Sequence, residues 1–241
     1  MNIVAIIQAS MGSSRLPGKV LMDVDGKTML ERVYDRVQLS RHVNKIVVAA
    51  PDHLHDEPIW QLCNKKGWAT TFRDENDVLG QYWAAATHYR ADKVVRITAD
   101  NPLVDPEIID RVIATSAANT TLDYVCNFYP LRTYPQGLDV EVISMNTLEH
   151  VHSKATSERH REDVSLMIYE NAKQFQISSV SQKQNYSHLR WTVDTYQDLQ
   201  LVNEIYSHFE YRSFSWLDVV DAYKSNPHWI EINREAIQKS A

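Results

Sequence analysis

Short apolar runs alternate with amphipathic segments through the first half of this chain, and this alternation constrains the fold more than any other feature of the sequence. The apolar runs have the length of buried strands, and the segments between them carry apolar residues at helical spacing. The predicted strands are residues 3–9, 45–50, 69–72 and 93–98, and the predicted helices are residues 27–40, 58–66, 79–90 and 106–116. A repeating strand–helix order predicts an α/β fold, with a mostly parallel sheet covered by helices on both faces.

The pattern becomes less regular after about residue 120. Strands are predicted at residues 123–127, 138–143 and 175–180, helices at 144–155 and 158–171, and a loop containing two prolines and a glycine at 129–137. A core-like strand follows at residues 189–193, and further helices are predicted at 196–208 and 216–224. We therefore expect one domain over residues 1–241, with an inserted edge region at about 123–185.

Composition narrows the classes of protein that this chain can belong to. With 44 % hydrophobic residues the chain has ample apolar surface to form a core, which excludes a disordered protein. The net charge of −6, with basic and acidic residues mixed, argues against nucleic acid as a partner. Two cysteines are too few for a disulfide framework, and no signal peptide or membrane span is evident, so we expect a cytoplasmic protein with no membrane partner.

The loop that follows the first predicted strand is the most informative segment for function. It combines two of the six glycines with several hydroxyl side chains and two cations, Arg15 and Lys19. Glycine lets backbone N–H groups approach phosphate oxygens closely, and both cations suit phosphate binding. The candidate nucleotide-binding residues of this loop are Ala9, Ser10, Met11, Gly12, Ser13, Ser14, Arg15 and Lys19. A solvated turn with incidental cations is the alternative interpretation.

Two familiar phosphate-binding motifs do not match this loop. Five residues separate Gly12 from Gly18, where the P-loop has four, and Val20 stands where the P-loop places a magnesium-binding Ser or Thr. No Gly-x-Gly-x-x-Gly follows any predicted strand, which disfavours dinucleotide binding.

Two aspartates follow predicted strands and are candidate metal ligands. Asp100 follows the strand at 93–98, and Asp194 follows the strand at 189–193. If these strands run parallel, both carboxylates lie at the same sheet edge as the loop that contains Lys19. Mg²⁺ takes one or two carboxylates together with water and substrate phosphates, so the pair fits a magnesium site. The alternatives are a turn residue before Pro102 for Asp100, and a helix N-cap for Asp194.

Three further residues are weaker candidates. Asp139 and Glu141 alternate in a predicted strand and so share one face, where they line an acceptor pocket or face solvent. Arg73 is a candidate nucleotide ligand, and a surface ion pair with Asp77 is equally compatible with the sequence.

The loop sequence QASMGSSRLPGKVL, at residues 8–21, closely resembles the nucleotide-binding signature of the cytidylyltransferases. That family includes the CMP-Kdo and CMP-sialic acid synthetases, and the resemblance is closest to the group of the spore coat polysaccharide biosynthesis protein F. Four more stretches match the family in order, at residues 77–79, 96–105, 137–142 and 189–195. The resemblance covers about residues 2–206.

The resemblance implies a Rossmann-like nucleotidyltransferase that transfers CMP from CTP to a sugar acid or sugar-like acceptor and releases pyrophosphate, in surface polysaccharide biosynthesis. It implies that Arg15 and Lys19 act on the phosphates, that Asp100 and Asp194 hold Mg²⁺, and that the inserted edge region forms a homodimer. A sugar-nucleotide-dependent glycosyltransferase and a catalytically silent nucleotide-binding protein are the alternatives.

Two residues depart from the family pattern. Ser10 stands where relatives commonly have Arg, which removes a bidentate cation from the vicinity of the triphosphate. Asp163 stands where relatives often have His, which bears on recognition of the acceptor.

Overall fold

The computed structural model describes residues 1–73, 77–210 and 212–236. The strands are β1 (Ile3–Gln8), β2 (Asp23–Val24), β3 (Lys27–Thr28), β4 (Lys45–Pro51), β5 (Ala69–Arg73), β6 (Lys93–Thr98), β7 (Tyr124–Cys126), β8 (Glu141–Ser144) and β9 (Ile177–Ser179). The helices are α1 (Met29–Gln38), α2 (Glu57–Lys66), α3 (Val78–His88), α4 (Pro106–Ala118), α5 (Met145–Lys154), α6 (Glu158–Glu162), α7 (Leu166–Glu170), α8 (Tyr196–Phe209), α9 (Trp216–Ala222) and α10 (Trp229–Ile232). Within these residues no helix has the length and apolar character needed to cross a bilayer.

Seven strands form one sheet in the order β5-β4-β1-β6-β8-β7-β9. The first four run parallel, β8 runs antiparallel to both of its neighbours, and β9 runs parallel to β7. From β1 the chain proceeds outward to β4 and β5, and then returns to place β6 on the other side of β1. The strand order therefore reverses between β1 and β6, and the loops that follow these two strands diverge and leave a crevice at their carboxyl ends.

Helices cover both faces of the sheet, as the alternation of apolar residues predicts. The side chains of Ile3, Ala5 and Ile7 belong to a core that includes buried residues of α1, α4 and α8. Val4 and Ile6 point to the opposite face, where the core includes buried residues of α3 and α5. The predicted α/β class and the mostly parallel sheet are therefore confirmed.

The predicted strand at 189–193 is wrong. In this segment only Arg190 forms a bridge, with Gln136, and the other residues lie outside any strand. Its apolar residues are buried as expected, but the backbone N–H of Trp191 donates to Gln136 at 2.7 Å and that of Val193 donates to Asp100 at 2.8 Å. The segment is an extended chain packed against two loops, which gives the same burial pattern as a strand.

Several predicted elements differ in extent from the observed ones, and two of these differences bear on the site. The helix predicted at 158–171 is broken into α6 and α7, because Asp163 is extended and its side chain accepts a hydrogen bond from the backbone N–H of Ser165 at 2.9 Å. The strand predicted at 138–143 begins at Glu141, so Asp139 lies before β8 and not within it. The predicted edge region supplies β7, β8 and β9, and its role as a dimer contact stays a prediction.

Gly137 allows the segment that leads to Asp194 to pack tightly against the loop before β8. Its φ of +100° lies in the region that favours glycine. A Cβ atom at this position would lie 2.4 Å from the backbone nitrogen of Thr192. The absence of a side chain at Gly137 is therefore what permits the bridge between Gln136 and Arg190.

We expect Gly137→Ala to lower the free energy of unfolding by more than about 3 kcal/mol, because the new methyl group meets backbone that cannot move aside cheaply. Gly67→Ala is the matched control, since Gly67 also has a positive φ, +68°, but among the described residues no atom beyond its chain neighbours lies within 4 Å of the added Cβ. That variant should lose about 1 kcal/mol from backbone strain alone. Urea unfolding measures both, and equal losses would contradict the steric role of Gly137.

Candidate functional site

The loop after β1 is fixed at both ends by hydrogen bonds to its backbone. The N–H of Met11 donates to the buried carboxylate of Asp56 at 2.7 Å, and the N–H of Gly18 donates to the carbonyl of Met11 at 2.9 Å. Gly18 has a φ of +73°, which turns the chain into the short 3-10 helix Lys19–Leu21. The loop is thus closed on itself, and Lys19 follows directly at a defined position.

The ammonium group of Lys19 contacts both aspartates that the sequence predicts as metal ligands. Its Nζ lies 2.8 Å from Oδ2 of Asp100 and 2.9 Å from Oδ1 of Asp194, and it also donates to the carbonyl of Val193 at 2.8 Å. The Lys19 side chain is only 9 % exposed. Burial alone would lower the pKa of Lys19, but the two carboxylates outweigh it and raise the pKa above its usual range. Lys19 therefore stays positively charged in this crevice.

Asp194 is the most heavily paired acid of the site. Oδ2 of Asp194 lies 2.8 Å from Arg15 and 2.8 Å from Arg190, while Oδ1 faces Lys19. Burial alone would raise the pKa of Asp194, but Lys19 and the two guanidinium groups more than compensate and lower it. Asp194 is therefore ionised at neutral pH.

A further layer of hydrogen bonds holds Arg190 in place. Asp198 lies 3.0 Å from the Nε of Arg190 and also accepts from Asn233 at 2.8 Å. The N-cap of α8 is Thr195, whose side chain accepts from the backbone N–H of Asp198. The alternative interpretation of Asp194 as the helix cap is thus wrong, because the adjacent residue caps α8 and leaves the Asp194 carboxylate facing three cations.

Asp100 is the more accessible of the two acids. Its Oδ1 accepts a hydrogen bond from the hydroxyl of Thr98 at 2.6 Å, and its side chain is 27 % exposed, compared with 10 % for Asp194. Thr98 is fixed in turn by Asn101, which donates to the Thr98 hydroxyl at 2.9 Å. Asp100 therefore presents an ordered carboxylate to the crevice.

A cavity of about 350 Å³ lies between the loop after β1 and the end of β6. It is lined by Gln8, Ser10, Gly12, Ser13, Ser14, Arg15, Lys19, Val20, Arg96, Thr98, Ala99 and Asp100. A neighbouring cavity of about 630 Å³ shares Arg15 but is lined otherwise by residues of α8, α10 and the chain after α10, and neither Lys19 nor Asp100 lines it. The smaller cavity is therefore the one that Lys19 and Asp100 line, and Asp194 is not among the lining residues of either of these two cavities.

The two aspartates have the chemistry that Mg²⁺ requires. Among the described ranges no cluster of three or more metal-ligating side chains occurs, but Mg²⁺ needs only one or two carboxylates when water and phosphate supply the other ligands. One carboxylate oxygen of each acid lies within 2.9 Å of a single nitrogen, so both acids already face one cationic point. The magnesium site stays a prediction, and in this structure both oxygens of each carboxylate are already engaged by protein donors.

The other predicted residues have different positions. Ser10, Gly12, Ser13 and Ser14 line the cavity, whereas Ala9 is buried and Met11 lies within the loop outside the lining. The side chain of Arg73 lies outside the described residues, so its predicted role is untested.

The two predicted acceptor residues are both engaged by neighbouring side chains. The Asp139 carboxylate forms a two-point ion pair with Arg132, with Nη2 at 2.7 Å from Oδ2. Glu141 is 2 % exposed and is held by Arg96, Ser165 and the hydroxyl of Tyr124, the last at 2.7 Å. Their roles as acceptor ligands stay predictions, and Glu141 as placed here contacts protein groups.

Sequence reasoning missed Gln8, Arg96 and Thr98 as cavity residues, and Arg190 as a partner of Asp194. A signal was present for Arg96, because a charged residue interrupts the apolar run Lys-Val-Val-Arg-Ile-Thr of β6. A charge in the interior of a buried strand needs a partner or a function.

Comparison with known proteins gives consistent matches. A family model described as cytidylyltransferase matches residues 4–214. An uncharacterized protein of Methanocaldococcus jannaschii is 33 % identical and covers 100 % of this chain and 98 % of its own length. The spore coat polysaccharide biosynthesis protein SpsF of Bacillus subtilis is 28 % identical over 85 % of this chain and 86 % of its own. A 3-deoxy-manno-octulosonate cytidylyltransferase of Geobacter sulfurreducens is 34 % identical over 61 % of this chain and 58 % of its own.

Solved structures give a similar result. A cytidylyltransferase from Leptospira borgpetersenii superposes with a TM-score of 0.92 at 28 % identity, covering 100 % of both chains. A CMP:2-keto-3-deoxy-manno-octonic acid synthetase complexed with CTP superposes with a TM-score of 0.68, covering 86 % of this chain and 99 % of its own. At 18 % identity the second match supports the fold alone.

Asp194→Asn should lower the free energy of unfolding by about 3 kcal/mol at pH 7, because three cations lose a shared buried partner. The native pKa of Asp194 lies below its ordinary value of 3.8, so its contribution is present above that value. As the pH falls through the lowered native pKa the contribution is lost. Urea unfolding of both proteins between pH 7 and pH 3 should therefore show a difference that narrows only below about pH 4.

Asp221→Asn is the control for this measurement, because Asp221 pairs with Lys224 at the surface and is 70 % exposed. This variant should stay within about 0.5 kcal/mol of the parent protein at every pH. An Asp194→Asn deficit that does not change with pH would contradict the charge network described above.

Proposed function

Because this chain belongs to the cytidylyltransferase family, whose model matches residues 4–214, we propose that it transfers CMP from CTP to a hydroxyl group of a sugar acid or sugar-like acceptor, with release of pyrophosphate. The observation that carries this proposal is the contact of the Lys19 ammonium with both Asp100 and Asp194 at the crevice between β1 and β6. A site for nucleotidyl transfer needs cations that attract phosphates and acids that hold a metal ion, and this crevice combines both.

The loop after β1 and its cations are the proposed triphosphate-binding elements. Ser10, Gly12, Ser13 and Ser14 of this loop line the cavity together with Arg15 and Lys19. Arg15 offers a planar fork and Lys19 a compact charge, and both neutralise the charge that develops on the phosphates. In such transfers positioning and electrostatics account for most of the rate enhancement.

Asp100 and Asp194 are the residues that would hold Mg²⁺. When bound there, the ion supplies a Lewis acid that polarises the α-phosphate and favours ionisation of the acceptor hydroxyl. Lys19 orients both carboxylates toward one point, and Arg190 fixes the orientation of Asp194. The protein thus fixes the acids before a substrate arrives.

The proposed step forms one bond and breaks one bond. The acceptor oxygen attacks the α-phosphorus of CTP and forms a new P–O bond, and its proton leaves to solvent. The bond between the α-phosphorus and the bridging oxygen breaks, and pyrophosphate departs with that electron pair. Arg15 and Lys19 stabilise the departing pyrophosphate and hold the phosphates in position for the attack.

The class of acceptor is inferred from the relatives. One relative carries the name 3-deoxy-manno-octulosonate cytidylyltransferase, which designates a sugar acid as acceptor, and another is named for spore coat polysaccharide biosynthesis. We therefore propose a 2-keto-3-deoxy sugar acid, or a compound of similar size and hydroxylation, in the assembly of a surface polysaccharide.

The main competing function is nucleotide binding without catalysis, which the presence of Ser10 favours. The Ser10 hydroxyl accepts a hydrogen bond from the N–H of Gly12 at 3.0 Å, so it shapes the loop and contributes no charge. This alternative predicts that CTP binds and no pyrophosphate is released. A glycosyltransferase would instead bind an intact nucleotide-sugar, again without pyrophosphate.

Pyrophosphate release from CTP and Mg²⁺ in the presence of a panel of sugar acids tests the proposal. Asp100→Asn should lower this rate by at least about 100-fold, because the more accessible metal ligand is lost. Circular dichroism of the variant should match the parent fold, and its melting temperature should fall, because buried Lys19 loses one of its two carboxylate partners. Near-normal turnover by Asp100→Asn would refute the metal-binding role.

Asp52→Asn is a suitable control, because Asp52 is exposed and lies outside the cavity lining. This variant should retain full activity. Thermal shifts with CTP, UTP, ATP and GTP, measured separately, should be largest for CTP, and equal shifts for all four would contradict a preference for cytidine.

Ser10→Arg should strengthen the interaction with the triphosphate, because it restores a cation at a position that lines the cavity. We expect KM for CTP to fall about tenfold, which corresponds to about 1.4 kcal/mol. Steady-state kinetics with varied CTP measures the change. Ser10→Gln adds a side chain of intermediate length without charge and should leave KM for CTP close to the parent value.

A further inference from the structure

Two polar side chains form the floor of the cavity. Gln8 and Arg96 extend from the neighbouring strands β1 and β6, in which Ile6 pairs with Arg96 and Gln8 pairs with Thr98. Residues two apart in a strand share a face, so Gln8, Thr98 and Arg96 all point to the same side of the sheet. Diagonal neighbours of this kind are within reach of one another when the side chains are long.

The floor has hydrogen-bonding capacity that the described residues do not use. The Oε1 atom of Gln8 and the Nε atom of Arg96 are buried, and neither has a hydrogen-bond partner within those residues. Leaving such atoms unpaired costs free energy, so native proteins usually satisfy them with protein, water or ligand. Both side chains line the cavity, so a ligand that enters it can complete this network when the end groups of Gln8 and Arg96 turn toward it.

The charge of Arg96 is already balanced by a protein carboxylate. Arg96 and Glu141 form an ion pair across the paired strands β6 and β8, and Glu141 is held further by Tyr124 and Ser165. A second carboxylate brought to Arg96 would lie close to Glu141 and be repelled by it. The floor is therefore suited to an uncharged polar group of a ligand.

The floor is also connected to the proposed metal ligands. Thr98 lies beside Gln8 in the strand register and donates its hydroxyl to Asp100 at 2.6 Å. A ligand that rests on Gln8 and Arg96 is thus adjacent to the acid at which the acceptor oxygen would react. The phosphate-binding loop forms the other wall of the same cavity.

We propose that Gln8 and Arg96 form the specificity-determining subsite for the acceptor, and that they bind one of its hydroxyl groups. This inference rests on the proposed function. A hydroxyl oxygen accepts from an N–H of Arg96, and the same hydroxyl donates its hydrogen to Oε1 of Gln8. A carboxylate has no hydrogen to donate, so its oxygen lone pairs would face those of Oε1 of Gln8 and be repelled. Glu141 acts on the acceptor through Arg96 and is a positioning residue.

The test is the kinetics of two conservative variants. Gln8→Met keeps the length of the side chain and removes the amide, and Arg96→Lys keeps the charge that balances Glu141 and removes Nε. In pyrophosphate-release assays with 3-deoxy-manno-octulosonate and other 2-keto-3-deoxy sugar acids, each variant should raise KM for the best acceptor about tenfold. KM for CTP should remain within twofold of the parent value.

Matched controls are Gln61→Met and Arg159→Lys, which make the same changes at exposed positions of α2 and α6 and should leave both KM values unchanged. A rise in KM for CTP with no change for the acceptor would overturn the proposal. A lower acceptor KM for Gln8→Met would also overturn the proposal. Such a fall would mean that Oε1 of Gln8 repels the bound group, as it would if the acceptor placed a carboxylate on the floor. Thermal unfolding confirms that each variant is folded.

If the proposed function itself is wrong, the assays give a result that can be told apart from failure of the subsite proposal. If the parent protein turns over none of the sugar acids, the proposed reaction is refuted, and calorimetry with CTP alone then tests the subsite. Dissociation constants for CTP within twofold of the parent in both variants support a floor that lies off the nucleotide. A tenfold weaker affinity for CTP in either variant overturns it.

Discussion

The contact of one buried ammonium group with two carboxylates is the interaction on which the site depends. Lys19 comes from the loop after β1, Asp100 from the end of β6, and Asp194 from an extended segment almost a hundred residues later. Each charge alone would be costly to bury, and together they offset most of that cost. Pairing therefore holds three distant parts of the chain at one point. Arg190 pairs with Asp194 and in turn with Asp198, so opposite charges remain paired beyond the three central residues.

Much of this arrangement could be predicted because parallel strands present their carboxyl ends at one edge. Lys19 and Asp100 follow strands whose apolar runs are unmistakable, and their proximity follows from the direction of those strands. The sequence predicts that Asp194 lies near Lys19, as it does, but the reason for the prediction is partly wrong. The run at 189–193 is apolar and buried, and burial alone does not distinguish a strand from an extended segment hydrogen-bonded to loops.

The pair of Arg96 and Glu141 could not be predicted, because it depends on the antiparallel register of β6 and β8. Sequence periodicity indicates which residues share a face of one strand, but not which residue of a distant strand lies opposite. The break between α6 and α7 has a similar origin. Asp163 offers its side chain to the backbone of Ser165, and this local competition interrupts a helix that the apolar pattern supports.

The reversed direction of β8 has a consequence for how proteins of this architecture diversify. Because β8 is antiparallel to β6, its first residue, Glu141, adjoins the part of β6 that carries Arg96 beside the crevice. Strand β8 therefore reaches the crevice from a side that the loop after β1 does not occupy. Substitutions in β8 and the helices that pack against it can shift Arg96 and so change the hydrogen-bonding groups on the floor of the cavity. The loop after β1, Asp100 and Asp194 need not change. Proteins that share this fold could in this way vary one wall of the cavity and retain the loop after β1 and the two aspartates unaltered.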